Sequence, residues 1–183
     1  MRQPKAMARE TGPHGAEAST EVMLVSPEPN GPAAPPALHS IQGSIMTDTK
    51  EILDTVPTGV PLSTENVAAA IDACLRCVQT CTTCANADLA EEDVDELRVC
   101  AARCITCADV CDVTARVLSR PTQWDQLIVY RLLQACVRAC ESSAEECARH
   151  AHHHRHCAIC EKVCRACIQA CIALLDAQDI DEA

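Results

Sequence analysis

The chain has 183 residues, enough for one ordinary domain and a tail, and contains 16 Cys, one Trp, one Tyr and no Phe. The aromatic volume that usually fills a core is missing, so the small, readily buried cysteines are left to fill it. A net charge of −11 excludes the basic footprint of a nucleic-acid binder and disfavours anionic membranes, while keeping the surface soluble and mildly attractive to cations.

In chain order, residues 1–61 read as a disordered Pro/Ala-rich N-terminal extension without cysteine, typified by Pro27-Glu28-Pro29-Asn30-Gly31-Pro32. Met46 opens a compact continuation, so residues 1–45 read as an extension from an upstream start. The longest early apolar run, Val22-Met23-Leu24-Val25, is too short for a signal peptide, and no twin-arginine pair stands near the start. No run is long and apolar enough to span a membrane. The expected location is therefore cytoplasmic. Thiols stay reduced there, and sixteen cysteines point to metal rather than to disulfides.

Residues 62–183 are expected to form a bundle of four helices. The first starts at Ser63 as N-cap, with Leu62 and Val67 placed for a hydrophobic staple, and runs to about Asn86. It carries Cys74, Cys77, Cys81 and Cys84. The second starts near Asp88, with Glu91 as its capping-box partner, and runs to about Ser119 before Pro121. It carries Cys100, Cys104, Cys107 and Cys111. The third opens near Thr122, has Asp125 in its first turn, and runs to about His150 with Cys136, Cys140 and Cys147. The fourth covers roughly His153 to Ala177 with Cys157, Cys160, Cys164, Cys167 and Cys171. Helix formers dominate, and Gly and Pro are absent from all four interiors. Short connections predict an all-α, antiparallel up-down-up-down four-helix bundle.

Within each helix the gaps between cysteines are 3, 4 or 7 residues, the steps that return to one helix face. Cysteine thus stands where a bundle normally places leucine. One or two such residues would be ordinary small core fillers, but all sixteen fall on the stripes and none in the tail. Ser143 interrupts the third stripe where a cysteine would fit, and reads as a local gap in an ion column.

The spacing suits monovalent copper. Side chains at i and i+4 have Cβ atoms about 5–6 Å apart. Two metal–sulfur bonds of about 2.3 Å span about 4.6 Å, so one ion bridges Cys77 and Cys81, or Cys100 and Cys104, nearly linearly. Cu(I) is soft and accepts two or three thiolates. Zinc prefers a tetrahedron and leaves two negative charges on four thiolates, whereas about one Cu(I) per thiolate leaves almost none in a dry core. Shared sulfurs give a capacity of roughly 11–16 ions. A zinc or cadmium thiolate buffer is the alternative, followed by a structural protein without metal.

An iron–sulfur reading lacks the short loop-like cysteine run that clusters use. Cys-x-x-Cys occurs five times, but most pairs sit mid-helix rather than at the N-terminus where a redox thiol is activated. No enzyme activity and no catalytic residue are expected. In the apo state the thiols pack as small neutral groups, so the bundle is expected to be helical without metal.

Antiparallel packing brings Cys84, Cys147 and Cys157 to one end together with His150, His152, His153, His154 and His156. Counting along the stripes turns His150, His153 and His154 toward the mouth as metal ligands and turns His152 and His156 elsewhere. Imidazole suits copper and can hand an ion on to thiolates. At the other end the stripes continue as Val67, Ile71, Leu118, Val129, Leu132, Leu133, Leu174 and Leu175, an apolar plug. His14 and His39 in the tail are assigned no role.

The segments Cys77-Val-Gln-Thr-Cys81, Cys100-Ala-Ala-Arg-Cys104, Cys107-Ala-Asp-Val-Cys111, Cys136-Val-Arg-Ala-Cys140 and Cys160-Glu-Lys-Val-Cys164 give residues 62–177 a specific resemblance to the bacterial four-helix-bundle copper-storage proteins. The resemblance implies a Cys-lined bundle that assembles as a homotetramer and holds many Cu(I) ions per chain. It points to the cytosolic branch, whose bundle mouth carries histidine. The expected partners are copper ions and a copper chaperone or efflux-regulator system, with no nucleic acid and no membrane. The long tail and modest cysteine count depart from the family pattern and bear on the ion number, not the class.

Overall fold

A computed structural model describes residues 45–178, with side chains from Asp48 onward. Five α-helices and one short 3-10 turn occur among them, and no strand. They are α1 (Ile45–Asp54), α2 (Thr64–Asp88), α3 (Val94–Leu118), the 3-10 turn Pro121–Gln123, α4 (Gln126–His150) and α5 (Arg155–Leu175). The helices α2, α3 and α4 have 25 residues each and α5 has 21, so the long ones extend about 37 Å. Each of α2 to α5 packs on the next, and α5 closes the ring against α2. Cys74, early in α2, meets Cys136, early in α4, and Cys171, late in α5. Neighbours in the ring therefore run antiparallel. No helix among the described residues is long and apolar enough to cross a membrane.

Helix starts follow local chemistry where a cap is present. Ser63 accepts from the Asn66 N–H at 3.5 Å, Val67 is fully buried, and Leu62 packs on the core beside it. Asp125, expected in the first turn of the third helix, is its N-cap and accepts from the Ile128 N–H at 3.1 Å. The α2–α3 connection departs from expectation. Asp88 does not open α3 but ends α2, because it lies four residues beyond Cys84 on the stripe and is drawn into the core. The chain turns through residues 89–93, and α3 starts at Val94 without a side-chain cap. Glu91 is released from capping and reaches the histidines of the next connection. The fourth predicted helix likewise starts two residues late, at Arg155.

A second difference lies in the N-terminal extension. Its residues 1–44 fall outside the described residues, but Ile45–Asp54 is a helix, α1, packed on α2. Leu53 is buried there, and Thr49 Oγ1 donates to Asp72 Oδ1 at 3.0 Å. Leu53 and the Thr49–Asp72 hydrogen bond help to dock these ten residues on α2. The short, charged sequence carries no stripe long enough to announce that.

At the end away from the histidines Val67, Ile71, Leu118, Val129, Leu133 and Leu174 are buried, while Leu132 and Leu175 are half-buried. Trp124 donates its indole N–H to the Val117 carbonyl at 3.1 Å and packs against this plug. Its apolar surface and the sixteen thiols together fill the bundle.

Candidate metal centre

All sixteen cysteines are buried and free, and their sulfurs stack in layers along the bundle axis. Next to the plug lie Cys74, Cys111, Cys136 and Cys171, with Cys167 beside Cys74. The second layer is Cys77, Cys107, Cys140 and Cys164. The third is Cys81, Cys104 and Cys160, with Ser143 in the place of a fourth thiol. The fourth, nearest the histidines, is Cys100, Cys147 and Cys157, with Cys84, whose sulfur also lies within 4.8 Å of those of Cys104, Cys147 and Cys160. Thiols on opposite helices approach closely: Cys77 and Cys140 stand 3.9 Å apart, and Cys104 and Cys160 3.8 Å. No other side chain fits between sulfurs at that separation, so the axis of the bundle is a column of sulfur.

The inner layers form closed triangles. Cys77, Cys81 and Cys164 lie 3.7, 3.5 and 3.7 Å apart around the ring. An ion at the centre of that triangle would sit about 2.1 Å from each sulfur, close to the ~2.3 Å of a metal–thiolate bond. Cys77, Cys107 and Cys140 close another, at 3.7, 3.6 and 3.9 Å. Cys74, Cys136 and Cys171 close a third, at 3.8, 3.8 and 4.0 Å. The linear bridge expected between Cys77 and Cys81 needs about 4.6 Å, more than the 3.7 Å found, so three-sulfur sites need less movement. Cys100 and Cys104, the other expected bridging pair, each turn instead toward Cys147, at 3.7 and 3.6 Å.

The mouth is built differently from the stripe count. His156, expected to face elsewhere, directs Nδ1 to within 3.5 Å of Cys84 Sγ, Cys157 Sγ and Asp88 Oδ1. It stands in the first turn of α5, where side chains lean back over the helix start, and this carries the ring across the mouth to α2. The ligand atoms of Cys84, Asp88, His156 and Cys157 all lie within 4.8 Å of one another. The sequence reading used Asp88 as a helix start and not as a ligand, although its place four residues after Cys84 on the stripe was the available signal. His154 faces Asp93 Oδ2 with Nε2 at 3.2 Å and Glu91 Oε1 with Nδ1 at 3.5 Å. His150 places Nε2 3.5 Å from Glu146 Oε1, a buried carboxylate also paired with Arg103. His153 is exposed in the turn, as is His152, and the His153 backbone N–H bonds the His150 carbonyl at 3.0 Å. The inward-turned ring is thus that of His156, with His150 and His154 at the rim and His153 outside it.

Residues 63–176 match the family model described as copper storage protein. The chain belongs to the copper storage protein family. Among solved structures it is similar to the copper storage protein Ccsp of Streptomyces lividans loaded with 10 copper equivalents, with 44% identity and a TM-score of 0.70 over 71% of this chain and 99% of that one. It is also similar to a structure of copper loading, with five coppers, to a cytosolic copper storage protein from Streptomyces lividans. The identity there is 47% and the TM-score 0.62, over 62% of this chain and 95% of that one. A Streptomyces lividans Ccsp mutant with two histidines replaced by alanine matches at 44% identity and a TM-score of 0.63, over 64% of this chain and 98% of that one. Among curated proteins no match is found.

In this copper storage family member the thiols govern one another's protons. Hydrogen bonds from Cys107, Cys111 and Cys140 hold Cys77 down, to about 7, while those shared with Cys104, Cys107, Cys160 and Cys164 push Cys81 far up. A thiolate is tolerated where neighbouring S–H groups donate to it, and its presence then opposes ionisation next door. The column therefore cannot ionise throughout unless cations replace the protons.

Asp88 carries a separate strain. Burial raises its carboxyl to about 6, with the charge of Cys157 adding to the effect. Its Oδ1 accepts from the Cys157 S–H at 3.5 Å, and its buried Oδ2 has no hydrogen-bond partner. A folded value above the unfolded ~3.9 means that ionised Asp88 weakens the apo bundle, by nothing below pH 4 and increasingly as pH rises through about 6. Asp88→Asn is expected to stabilise the apo protein at pH 7.5 by about 1–3 kcal/mol and to leave its stability at pH 4 unchanged. Urea unfolding at the two pH values checks this, and equal midpoints at pH 7.5 would refute it.

Proposed function

We propose that this chain stores copper as Cu(I), many ions per chain, on the thiolates of its bundle core and without catalysis. The observation that supports this most is the sulfur column itself: sixteen buried free thiols, with triangles in which three sulfurs lie 3.5–4.0 Å apart. Distances of this kind accommodate three or four thiolates around an ion, and charge separates the two cases. A monovalent ion per thiolate neutralises the column, while tetrahedral zinc leaves it strongly negative. All sixteen cysteines serve as ligands. At the mouth His156 and Asp88 join Cys84 and Cys157, while His150 and His154 deliver ions from the rim. Each arriving ion displaces a thiol proton, and it moves inward by exchanging one sulfur for the next. His153 is reassigned from ligand to turn residue on account of its exposure.

We further infer a cytosolic location, because a relative is a cytosolic copper storage protein and sixteen thiolate ligands need a compartment that keeps thiols reduced. A homo-oligomer is inferred from the family, and a copper chaperone or efflux-regulator system is the inferred source of the ions.

X-ray absorption at the copper edge tests the ligand assignment. The loaded protein is expected to show a Cu(I) edge and a sulfur shell at about 2.2–2.3 Å with only a minor nitrogen or oxygen contribution. A Cu(II) edge or a shell dominated by nitrogen and oxygen would contradict it.

A further inference from the structure

His156 has a carboxylate near each ring nitrogen, and the two contacts are unequal. Nδ1 lies 3.5 Å from Asp88 Oδ1, an oxygen that already accepts from the Cys157 S–H. Nε2 lies 3.1 Å from Glu91 Oε1, at hydrogen-bond distance. A neutral imidazole carries one N–H, and an ionised carboxylate only accepts. The proton therefore belongs on Nε2, donated to Glu91. The lone pair on Nδ1 is left facing Cys84 Sγ and Cys157 Sγ, each 3.5 Å away. Glu91 is itself held in place. The same Oε1 lies 3.5 Å from His154 Nδ1, and the His154 Nε2 faces Asp93 Oδ2 at 3.2 Å. One half-buried carboxylate of the α2–α3 connection thus fastens two imidazoles at the start of α5 across the mouth.

We propose that Glu91 is a positioning residue for copper entry: it holds the His156 ring over Cys84 and Cys157 and keeps the proton on Nε2, so that Nδ1 meets the incoming Cu(I). This rests on the Cu(I) storage reading above. Glu91 acts through His156, as an outer carboxylate does behind many metal-binding histidines. Capture at Nδ1 forms one copper–nitrogen bond and breaks one bond to the ligand that carried the ion in. Copper stays Cu(I), and no proton leaves the ring because Nδ1 carries none. Without Glu91 the ring is free to turn toward solvent, or to carry its N–H on Nδ1, where it would donate to Asp88 and block the ion.

The test compares the full chain with Glu91→Ala and Glu91→Gln. Long-range proton–nitrogen NMR spectra of the reduced apo proteins read the His156 tautomer. Stopped-flow mixing with the Cu(I)–bathocuproine disulfonate complex reads the rate of uptake of the first equivalents. Wild type is expected to hold the proton on Nε2. Glu91→Ala is expected to mix the two tautomers and to slow uptake about tenfold or more, with the final capacity unchanged. Glu91→Gln is expected to restore the tautomer and most of the rate, because the amide oxygen accepts the same N–H. In a His156→Ala background, Glu91→Ala is expected to have no further effect. Wild-type tautomer and rate in Glu91→Ala, or a Glu91→Gln variant as slow as Glu91→Ala, would overturn the positioning role while leaving the store intact. A wild type that loads only a few ions would instead defeat the storage reading itself.

Discussion

Loading with Cu(I) is expected to raise the melting temperature of the bundle by more than about 20 °C. A ligand that binds only the folded state stabilises it by about 4 kcal/mol per site when its concentration is 1,000 times its dissociation constant, and 5–10 kcal/mol corresponds to some 15–30 °C. Several such sites act here at once. Binding of copper to the unfolded chain's thiols reduces the gain, but only the folded bundle sets three sulfurs from different helices in one triangle. Cys77, Cys107 and Cys140, for example, come from α2, α3 and α4. The apo protein has its own baseline, because buried neutral thiols pack as small apolar groups around an intact plug. Its far-ultraviolet circular dichroism is expected to be strongly helical already. Thermal scans of apo and loaded protein under anaerobic conditions check both points. An unchanged melting temperature would place the metal outside the core, and an apo spectrum without helix would mean that copper drives folding.

Cys77→Ser is expected to remove about two ions from the capacity while leaving the apo fold intact. The Cys77 sulfur meets four others, those of Cys81, Cys107, Cys140 and Cys164, at 3.7–3.9 Å, and takes part in two triangles. A serine hydroxyl has nearly the same volume and is already tolerated among these sulfurs at Ser143, so the apo stability is expected to change by less than about 1.5 kcal/mol. The comparison is Cys167→Ser. That sulfur has Cys74 at 3.8 Å and belongs to a looser four-thiol group with Cys74, Cys111 and Cys136, within 4.8 Å of one another, so its loss is expected to remove about one ion. Native mass spectrometry of the loaded variants gives the counts. Equal losses from the two substitutions would show that the triangles do not organise the metal.

The sulfur column was legible in the sequence because it is periodic. Gaps of 3, 4 and 7 residues fix the face of each cysteine whatever the neighbouring helix does, and all sixteen are buried. The plug was legible for the same reason. The mouth was only partly so, because a stripe count holds inside a helix and fails at its ends. Asp88 belongs to the end of α2, and no glycine or proline between residues 88 and 94 marks where the chain turns. His156 reaches the thiols through the backward lean of a first-turn side chain, and His153 falls just before α5 begins, outside the helical phase altogether. The docking of α1 was hidden too, since a helix of ten residues is too short to carry a long amphipathic pattern. Three-sulfur rather than two-sulfur sites likewise depend on contacts between helices, which spacing along one helix does not contain.

The most direct measurement is an anaerobic titration of the reduced full-length chain with Cu(I) in the presence of a competing Cu(I) chelator, with zinc titrated in parallel, read as ions bound per chain. Tight uptake of about ten or more Cu(I) ions, with zinc failing to displace them, is the predicted result for a column of sixteen buried thiolates. Uptake of no more than a few Cu(I) ions while zinc binds tightly would contradict copper storage and favour a divalent thiolate buffer.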